Sequence, residues 1–465
     1  MGLTRRDFVR SACCAAGAFG IATNLNRFGL IEALAQSAPA PYQALVCIFL
    51  FGGNDSNNVL VPTDSAGYAN YASLRGSQTN GGLALPMSGV TPLLPITSIT
   101  AQNGFTSFGL HPSMPELQSL FNLNKLAFLA NVGTLSQPIT NRTQYLTGST
   151  PLPANLFSHA DQQQQWQTLE MNGFYRSGWA GRLADSVEPV FNLNSAFPPI
   201  TSVAGSAIFN NGVTTKPYAM SPSPNTTPNL NLAGYGGSTA GLAAVQQLLT
   251  FDTGVSLIQA ASSIMTNTLA DNKVLAGLLN PPPTITTPFP TTGLGNQLKQ
   301  VAQIIKVQPA LKLSRQIFFC SLGGFDTHSD QIALQGPLLQ QLSQAVSAFY
   351  QATVELNVAQ NVTTFTMSDF SRTFQPGSNG GSDHAWGSVQ MIVGGAVKGG
   401  DIYGTLPVFT LGGPNDAGSN GRWIPSTSTD QYGATLAQWF GVSAANLPPI
   451  FPNLGNFSTK NLGFI

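Results

Sequence analysis

The chain has 465 residues, of which only 8% are charged, and its 19 basic and 19 acidic side chains cancel to a net charge of zero. An average globular protein has about 25% charged residues. A charge this sparse and balanced argues against a nucleic-acid partner and against electrostatic attachment to an anionic membrane. The length alone allows roughly two to four domains, and uncharged polar residues must cover most of the surface.

The N-terminus has the order of features that is typical of a twin-arginine export signal. Arg5 and Arg6 precede an apolar stretch rich in Ala and Gly, and Ala33-Leu34-Ala35 supplies the small residues that a signal peptidase accepts. The alternative is an amphipathic N-terminal helix of the mature protein. The stretch is too short and too glycine-rich for a stable membrane span of roughly 20 residues. We therefore predict a signal peptide over residues 1–35, a mature chain without a transmembrane segment, and a periplasmic or secreted protein.

Apolar runs that end in glycine or polar residues recur along the chain and predict buried strands. They are "ALVCIFLFGG" (44–53), "LAFLANVG" (126–133), "RQIFFCSLGG" (315–324), "TTFTMSDF" (363–370) and "LPVFTLGG" (406–413). Helical patterns lie between them, for instance over residues 333–356. This alternation predicts an α/β fold with a mainly parallel central sheet, a three-layer sandwich that spans about Gln36 to Ile465.

The segment from about Ser202 to Leu294 differs from the rest in composition. It is rich in Gly, Ala, Ser, Thr, Asn and Pro, and a helical stretch over residues 255–279 lies between its loops. We interpret this segment as a cap or insertion that folds onto the sheet domain.

Cys47 and Cys320 are the two cysteines that remain after the predicted signal peptide, and each lies inside a predicted strand. A disulfide between them is conceivable in an oxidising compartment. Buried free thiols are favoured, because neither flank offers the ligand spacing of a zinc site.

Polar and ionisable side chains are concentrated at the ends of the predicted strands and at the start of one predicted helix. Asp55 follows the first run; Ser158 and His159 open a helix; Asp326 and His328 follow the third strand mentioned above; Asp369, Arg372, Asp383 and His384 follow the fourth. Ligands of α/β proteins bind outside the carboxyl ends of the strands. Carboxylate and imidazole groups gathered there are what a divalent-metal site requires. We expect Asp326, His328 and His384 to share one ion.

Each of these signals also has a structural explanation. Ser158 is a good helix N-cap with Asp161 as its partner, and Asp55 is suited to a cap or an Asx-turn. A hydrogen bond between Asp326 and His328 could simply fix a loop. His111 is assigned a structural role. The chain has no Walker-type phosphate loop, and "GGAVKGGDIYG" lacks the spacing of a dinucleotide-binding fingerprint.

Several motifs together resemble one family of exported bacterial proteins. They include the twin-arginine leader, "FGGNDSNNVLVP", "SHADQQQQW", "GGFDTHSDQ", "SDFSRTFQPGSNGGSDHAWG" and "GRWIPSTSTDQYGATLAQWFG". In this order they are similar to domain-of-unknown-function family 1501, over essentially the whole chain. That family is grouped with the alkaline phosphatase superfamily, which includes phosphomonoesterases and sulfatases. The resemblance implies an alkaline phosphatase-like domain over residues 36–465 that hydrolyses phosphate or sulfate esters.

The resemblance also implies a role for individual residues. The metal ligands it implies are Asp55, Asp326, His328, Asp369 and His384. Ser158 is the implied nucleophile, at a helix N-terminus that favours an anionic ester. His159 is placed with the catalytic group, and Arg372 would hold the anionic group. The ions would be divalent, one or two in number, with zinc favoured over manganese or calcium. Phe370 departs from the superfamily pattern, which has a metal-binding histidine at that place.

Two functions follow as hypotheses from different classes. The first is a periplasmic metal-dependent hydrolase that acts on a small anionic ester or on an envelope polymer. The second is a non-catalytic envelope protein, derived from the hydrolase fold, that binds a metal, a glycan or a partner protein.

Overall fold

The structure, a computed structural model, describes residues 40–465 except 196, 223, 225–238 and 252–253. The predicted signal peptide, with Arg5 and Arg6, lies outside the described residues. Twelve strands are present in the described part of the chain. They are β1 (Gln43–Leu50), β2 (Leu60–Pro62), β3 (Leu94–Gln102), β4 (Phe105–Leu110), β5 (Leu126–Gly133), β6 (Ile200–Ser202), β7 (Tyr218–Ala219), β8 (Arg315–Leu322), β9 (Val362–Ser368), β10 (Ser388–Gly394), β11 (Ile402–Gly404) and β12 (Thr427–Ser428).

Eleven α-helices connect and cover the strands in the same part of the chain. They are α1 (Ser65–Arg75), α2 (Pro115–Asn122), α3 (Arg142–Thr147), α4 (His159–Thr168), α5 (Trp179–Phe191), α6 (Thr239–Leu249), α7 (Ser256–Leu278), α8 (Gly293–Lys306), α9 (Gln308–Leu311), α10 (Gln331–Glu355) and α11 (Thr429–Trp439). Among the described residues, no helix has the combination of length and apolarity that a membrane span needs.

The central sheet has nine strands in the order β11-β5-β10-β9-β1-β8-β6-β7, and β12 pairs with β5 beside this path. Its strand pairs are parallel except for those that β10 makes with β5 and β9. A second, antiparallel sheet contains β2, β4 and β3. The predicted α/β fold with a mainly parallel sheet is therefore confirmed.

Successive residues of a buried strand face opposite sides of the sheet, and this alternation gives the protein two cores. Val46 and Ile48 of β1 face one core, in which α2, α8 and α10 bury apolar side chains. Leu45 and Phe49 face the other core, which is closed by α4, α5 and α11. Helices thus cover both faces, and the predicted three-layer sandwich is confirmed.

Cys47 and Cys320 lie on neighbouring parallel strands and are buried free thiols, as favoured from the sequence. Cys47 pairs with Phe319, and Cys320 pairs with Ile48, so the two thiols are offset by one residue. They therefore lie in opposite cores. Burial raises the pKa of both thiols well above its ordinary value.

Four of the five predicted strands are present, and one is not. Residues 406–413 form no strand, since β11 already ends at Gly404. Within this segment Leu406 is buried but Val408 is 53% exposed, and the backbone N–H of Val408 donates to the side chain of Asn415. A short apolar run without a neighbouring strand to pair with remains a loop. Strand β10, which was not predicted, is the antiparallel partner of β5 and β9.

The predicted cap at about 202–294 stays a prediction. In its described part, α6 and α7 carry many exposed side chains, whereas β6 ends at Ser202 and β7 belongs to the edge of the central sheet.

Helix α11 contains a buried acid whose protonation should make stability depend on pH. Burial raises the pKa of Asp430 to about 7, although its carboxylate accepts the backbone N–H of Asn453 at 2.9 Å. The unfolded chain releases this proton near its ordinary pKa of about 3.9. Between about pH 4 and pH 7 the folded chain therefore binds more protons than the unfolded chain, and the free energy of unfolding should decrease as the pH rises.

We expect Asp430→Asn to remove this component, because the amide cannot ionise and its oxygen still accepts the N–H of Asn453. Urea unfolding at several pH values between about 4 and 8 tests the expectation. The variant should gain stability relative to the original chain as the pH rises through this range. Parallel pH profiles of the two proteins would contradict it.

Candidate metal centre

The candidate centre lies at the carboxyl edge of the central sheet because three neighbouring strands end level there. Leu50 of β1 pairs with Leu322 of β8 and with Ser368 of β9. The loops that leave these strands therefore start side by side. Strand β10 runs in the opposite direction, so the segment that precedes Ser388 reaches the same edge.

Close packing of these loops depends on two glycines after β1. Gly52 has φ 112°, and a Cβ atom there would lie 2.4 Å from the backbone nitrogen of Asp326. Gly53 has φ 78°, and a Cβ atom there would lie 2.5 Å from the ring of Phe370. Both backbone angles favour glycine, and any side chain would push the neighbouring loops away.

Four side chains converge at this edge: His159, Asp326, His328 and His384. One ligand atom from each lies within 4.8 Å of the others. Asp326 Oδ1 is 3.1 Å from His328 Nε2, 3.4 Å from His159 Nε2 and 3.8 Å from His384 Nε2. The Nε2 atoms of His328 and His384 are 2.9 Å apart. The sequence-based prediction that Asp326, His328 and His384 come together agrees with this geometry.

These separations fit a metal ion. Four ligands placed tetrahedrally at 2.0–2.1 Å from zinc are about 3.4 Å from one another, close to the separations given above. The Nε2 atom of His159 is also buried and has no hydrogen-bond partner among the described residues. A buried polar atom without a partner is costly, and a bound cation would satisfy it. The His/Asp cluster can therefore hold a metal ion.

His159 begins helix α4 and is held from behind by a buried carboxylate. Its Nδ1 lies 2.7 Å from Asp369 Oδ2, which also accepts a hydrogen bond from Gln163 at 2.7 Å. The other oxygen of Asp369 accepts the backbone N–H of Gly52 at 3.2 Å. The hydrogen bond to Asp369 raises the pKa of His159, and the resulting basicity makes the imidazole a stronger ligand.

Asp369 was predicted to bind the metal directly. In the structure its carboxylate contacts Nδ1 of His159 and lies behind this candidate ligand. It is fully buried, and the group of four residues does not include it. Its contacts instead orient His159, which was predicted as a catalytic residue.

His384 is oriented by a backbone carbonyl group. Its Nδ1 lies 2.8 Å from the carbonyl oxygen of Phe157, and since a carbonyl only accepts, Nδ1 must carry the proton. Burial lowers the pKa of His384, which favours the neutral ring with a lone pair on Nε2. Phe157 adopts φ 75°, a backbone angle that is uncommon for a residue with a side chain.

Phe370 forms an apolar base beneath the histidines. Its ring centroid lies 4.8 Å from that of His159 and 4.8 Å from that of His384. The ring is fully buried. Phe370 is the residue at the sequence position where the resemblance led us to expect a metal-binding histidine.

Asp326 and Arg372 form an ion pair at the centre. Burial alone would raise the pKa of Asp326, but the hydrogen bond and charge of Arg372 outweigh it and lower that pKa. The guanidinium of Arg372 is fully buried and also donates to the carbonyl oxygens of Gly52, Gly53 and Ser382. Arg372 therefore holds Asp326 from inside the protein, and its predicted role in binding an anionic group stays a prediction.

Asp55 lies in a separate buried network. Its carboxylate pairs with Arg75 and accepts hydrogen bonds from Gln331 and Asn57. Asp55 also caps a short 3₁₀ helix, Ser56–Asn58, which agrees with the structural alternative. Asp55 was predicted as a metal ligand, and the group of four residues does not include it.

Ser158 is the N-cap of α4. Its hydroxyl oxygen accepts the backbone N–H of Asp161 at 3.5 Å and donates to Asp161 Oδ2 at 2.7 Å. These contacts match the capping alternative, and its role as a nucleophile stays a prediction. His111 accepts the backbone N–H of Ser113 at 3.1 Å, and burial lowers its pKa to about 4, in agreement with a structural role.

Three solved structures illustrate what the chain is similar to. The lipoteichoic acid synthase LtaP from Listeria monocytogenes has 7% identity and a TM-score of 0.35, over 87% of this chain and 73% of that chain. An alkaline phosphatase superfamily protein from Vibrio parahaemolyticus has 10% identity and a TM-score of 0.33, over 88% and 68%. The PsFucS1 sulfatase from Pseudoalteromonas sp. has 10% identity and a TM-score of 0.30, over 81% and 66%.

No curated protein matches the sequence significantly. A family model does match, and it covers the segment that carries Asp326, His328, Asp369 and His384. Residues 293–415 match the family described as "Protein of unknown function (DUF1501)", which confirms over this segment the resemblance seen in the sequence.

Proposed function

We propose that this protein is a metal-dependent hydrolase of phosphate or sulfate esters, with one zinc ion held by His159, Asp326, His328 and His384. The observation that carries the proposal is the convergence of these four side chains at the carboxyl edge of the sheet. Three of the four histidines of the chain take part. Imidazole and carboxylate together are a donor set that suits zinc.

One side of the cluster is open to solvent, which supports a catalytic site over a purely structural one. The side chains of Asp326 and His328 are 51% and 49% exposed, whereas His159 and His384 are more deeply buried. Structural zinc sites are closed, whereas a catalytic zinc must also bind water or substrate. Because four protein side chains already complete a tetrahedron here, that molecule would enter from the exposed side as a fifth ligand. When bound, the ion would supply Lewis acidity that polarises an ester oxygen.

The surrounding residues determine how the ligands present their lone pairs. Asp369 accepts from Nδ1 of His159, and the carbonyl oxygen of Phe157 accepts from Nδ1 of His384, so both rings direct Nε2 toward the cluster. Arg372 holds Asp326 in its ionised form. The residues thus arrange the site before a ligand arrives, and little reorganisation is needed.

The second candidate is a non-catalytic metal-binding envelope protein. It is supported by the positions of the two residues expected to perform the chemistry. The hydroxyl group of Ser158 bonds to Asp161, and Arg372 is fully buried. In this conformation neither group is free to act on an ester.

Metal analysis and an esterase assay together test the proposal. The protein is purified after export, its metals are measured by mass spectrometry, and 4-nitrophenyl phosphate and 4-nitrophenyl sulfate are offered before and after treatment with EDTA. We expect about one zinc ion per chain, with hydrolysis that is lost on chelation and restored by zinc. A zinc-loaded protein without activity on either ester would favour the second candidate. Protein that neither contains nor binds zinc would contradict both.

We further propose export to the periplasm through the twin-arginine route, on the basis of Arg5 and Arg6. Replacing both with lysine should leave the precursor in the cytoplasm, because this route recognises the arginine pair. Cell fractionation and immunoblotting measure the outcome. Unchanged periplasmic accumulation of the variant would show that the pair is not the signal.

A further inference from the structure

A cavity lies on the same edge of the sheet as the metal centre. It has a volume of about 470 Å³, within the range of small-molecule sites. It lies where β5 and β11 end, among residues 131–140, 405–408 and 457–459. Strand β5 is parallel to β9, since β10 is antiparallel to both. Their carboxyl ends, two strand spacings apart, are separated by roughly 10 Å.

The cavity has an uncharged lining. None of the described residues that line it is an Asp, Glu, Lys, Arg or His. Phosphate and sulfate groups would find no cation in it, and an amine would find no carboxylate. A charged ligand would lose its hydration there without a compensating partner.

Polar groups at the rim of the cavity remain available for a ligand. Asn103 donates through Nδ2 to the carbonyl oxygens of Leu406 and Pro407, which leaves its Oδ1 without a partner among the described residues. Asn415 accepts the N–H of Val408 through Oδ1, which leaves its Nδ2 similarly available. The hydroxyl groups of Thr405 and Ser458 are exposed and have no hydrogen-bond partner among the described residues.

The floor of the cavity is apolar. Leu135, Ile139, Ile424 and Phe457 contribute to the lining and form one buried cluster with Trp386. A ligand that fits this cavity must therefore combine an apolar face with groups that both donate and accept hydrogen bonds. A purely apolar ligand would leave the amide and hydroxyl groups desolvated without partners, which is costly.

From these features we infer that the cavity binds an uncharged, hydroxyl-rich ligand, namely a neutral sugar unit. Sugar hydroxyl groups donate and accept, so they match both the oxygen of Asn103 and the amide N–H groups of Asn415. The C–H face of a sugar ring can lie against the apolar floor. This site is separate from the metal centre, and its occupancy does not require an ion.

The position of the cavity also indicates which substrate the metal centre acts on. This part of the inference rests on the proposed hydrolase function. A phosphate or sulfate group at the metal and a sugar in the cavity could belong to one substrate, an ester of a neutral saccharide. Binding energy from the sugar would then position the ester for reaction.

Direct binding experiments test the inference. Glucose, galactose, N-acetylglucosamine, cellobiose and maltose are added to the EDTA-treated protein, and binding is followed by saturation-transfer NMR and calorimetry. Asn415→Asp keeps an oxygen for the N–H of Val408 but loses the free donor, and Ser458→Trp obstructs the cavity from an exposed position. We expect at least one sugar to bind, and each variant to weaken its binding roughly tenfold or more.

Asn446→Asp is the matched control, because Asn446 is exposed and does not line the cavity. This change should leave sugar binding unaltered. The inference is overturned if none of the five sugars binds, or if binding is equally strong in both cavity variants. Binding of the neutral peptide N-acetyl-Ser-Asn-Pro-amide in place of the sugars would also overturn it. Because the protein is metal-free, these outcomes are independent of whether the proposed hydrolase activity exists.

Discussion

Replacing His328 or His384 with alanine is expected to remove bound zinc from the purified protein and to abolish any ester hydrolysis. Each histidine supplies one of the four ligand atoms, and their Nε2 atoms lie 2.9 Å apart. Without either ring, the remaining three ligands cannot hold the ion as tightly. Asp369→Asn removes the carboxylate behind His159 but keeps all four ligands, so it should weaken zinc binding only about 10–100-fold. Competition with a chromophoric chelator measures the affinities.

The matched control is His111→Asn, which changes the one histidine outside the cluster and keeps an acceptor for the N–H of Ser113. It should retain its zinc. Circular dichroism should show that all variants are folded. If the His328 and His384 variants bind zinc as tightly as the original protein, the four side chains are not its ligands. A structural role alone would predict lower stability without a selective loss of zinc.

Asp55→Asn is expected to lower the free energy of unfolding by about 3–5 kcal/mol while leaving zinc binding intact. Asp55 and Arg75 are both fully buried, and the guanidinium also donates to the carbonyl oxygen of Phe374 at 2.9 Å. Loss of the carboxylate charge leaves Arg75 buried without its counter-charge. The NH₂ group of the new amide also faces N–H donors, whose hydrogen bonds the carboxylate oxygen had accepted. Urea unfolding measures the first quantity and metal analysis the second.

Asp383→Asn is the matched control for this experiment. Asp383 also pairs with an arginine, Arg422, but its side chain is 55% exposed. An exposed pair contributes at most about 1 kcal/mol, because solvent screens it. Equal effects of the two substitutions would mean that the Asp55–Arg75 pair is not isolated from water. Loss of zinc from a folded Asp55→Asn protein would instead restore Asp55 as a metal ligand.

The parts of the site that could be predicted are those that directly follow a strand, because the local sequence shows where each strand ends. Apolar runs that stop abruptly identified β1, β8 and β9, and the residues just after parallel strands must meet at one edge. Asp326 and His328 were therefore found together with His384. The role of His159 was harder to assign, because α4 lies far from the other ligands in sequence and only the fold brings it to them. A histidine beside a helix N-cap was the available signal.

Three charged residues that were predicted at the site lie outside the group of four, and they share one physical feature. Asp55, Asp369 and Arg372 follow strands just as Asp326 does, but the structure buries them. Sequence shows that an ionisable group lies near the edge of a sheet, not whether its partner is water, an ion or another side chain. The partners of these groups come from distant segments, such as Arg75 for Asp55 and the carbonyl group of Ser382 for Arg372.

Because the two thiols lie on opposite faces of the sheet, a disulfide between them can form only in chains that have not yet folded. Cys47 and Cys320 belong to adjacent strands, but the sheet itself separates them, one in each core. In the native arrangement they cannot join, even under oxidising conditions, because a disulfide requires both Cβ atoms on the same side at about 3.8 Å. A molecule that carries this crosslink must have formed it while the strands were apart. A chain with this disulfide cannot form the native sheet. The fraction of a preparation that contains the Cys47–Cys320 disulfide therefore measures how many chains were oxidised before they folded.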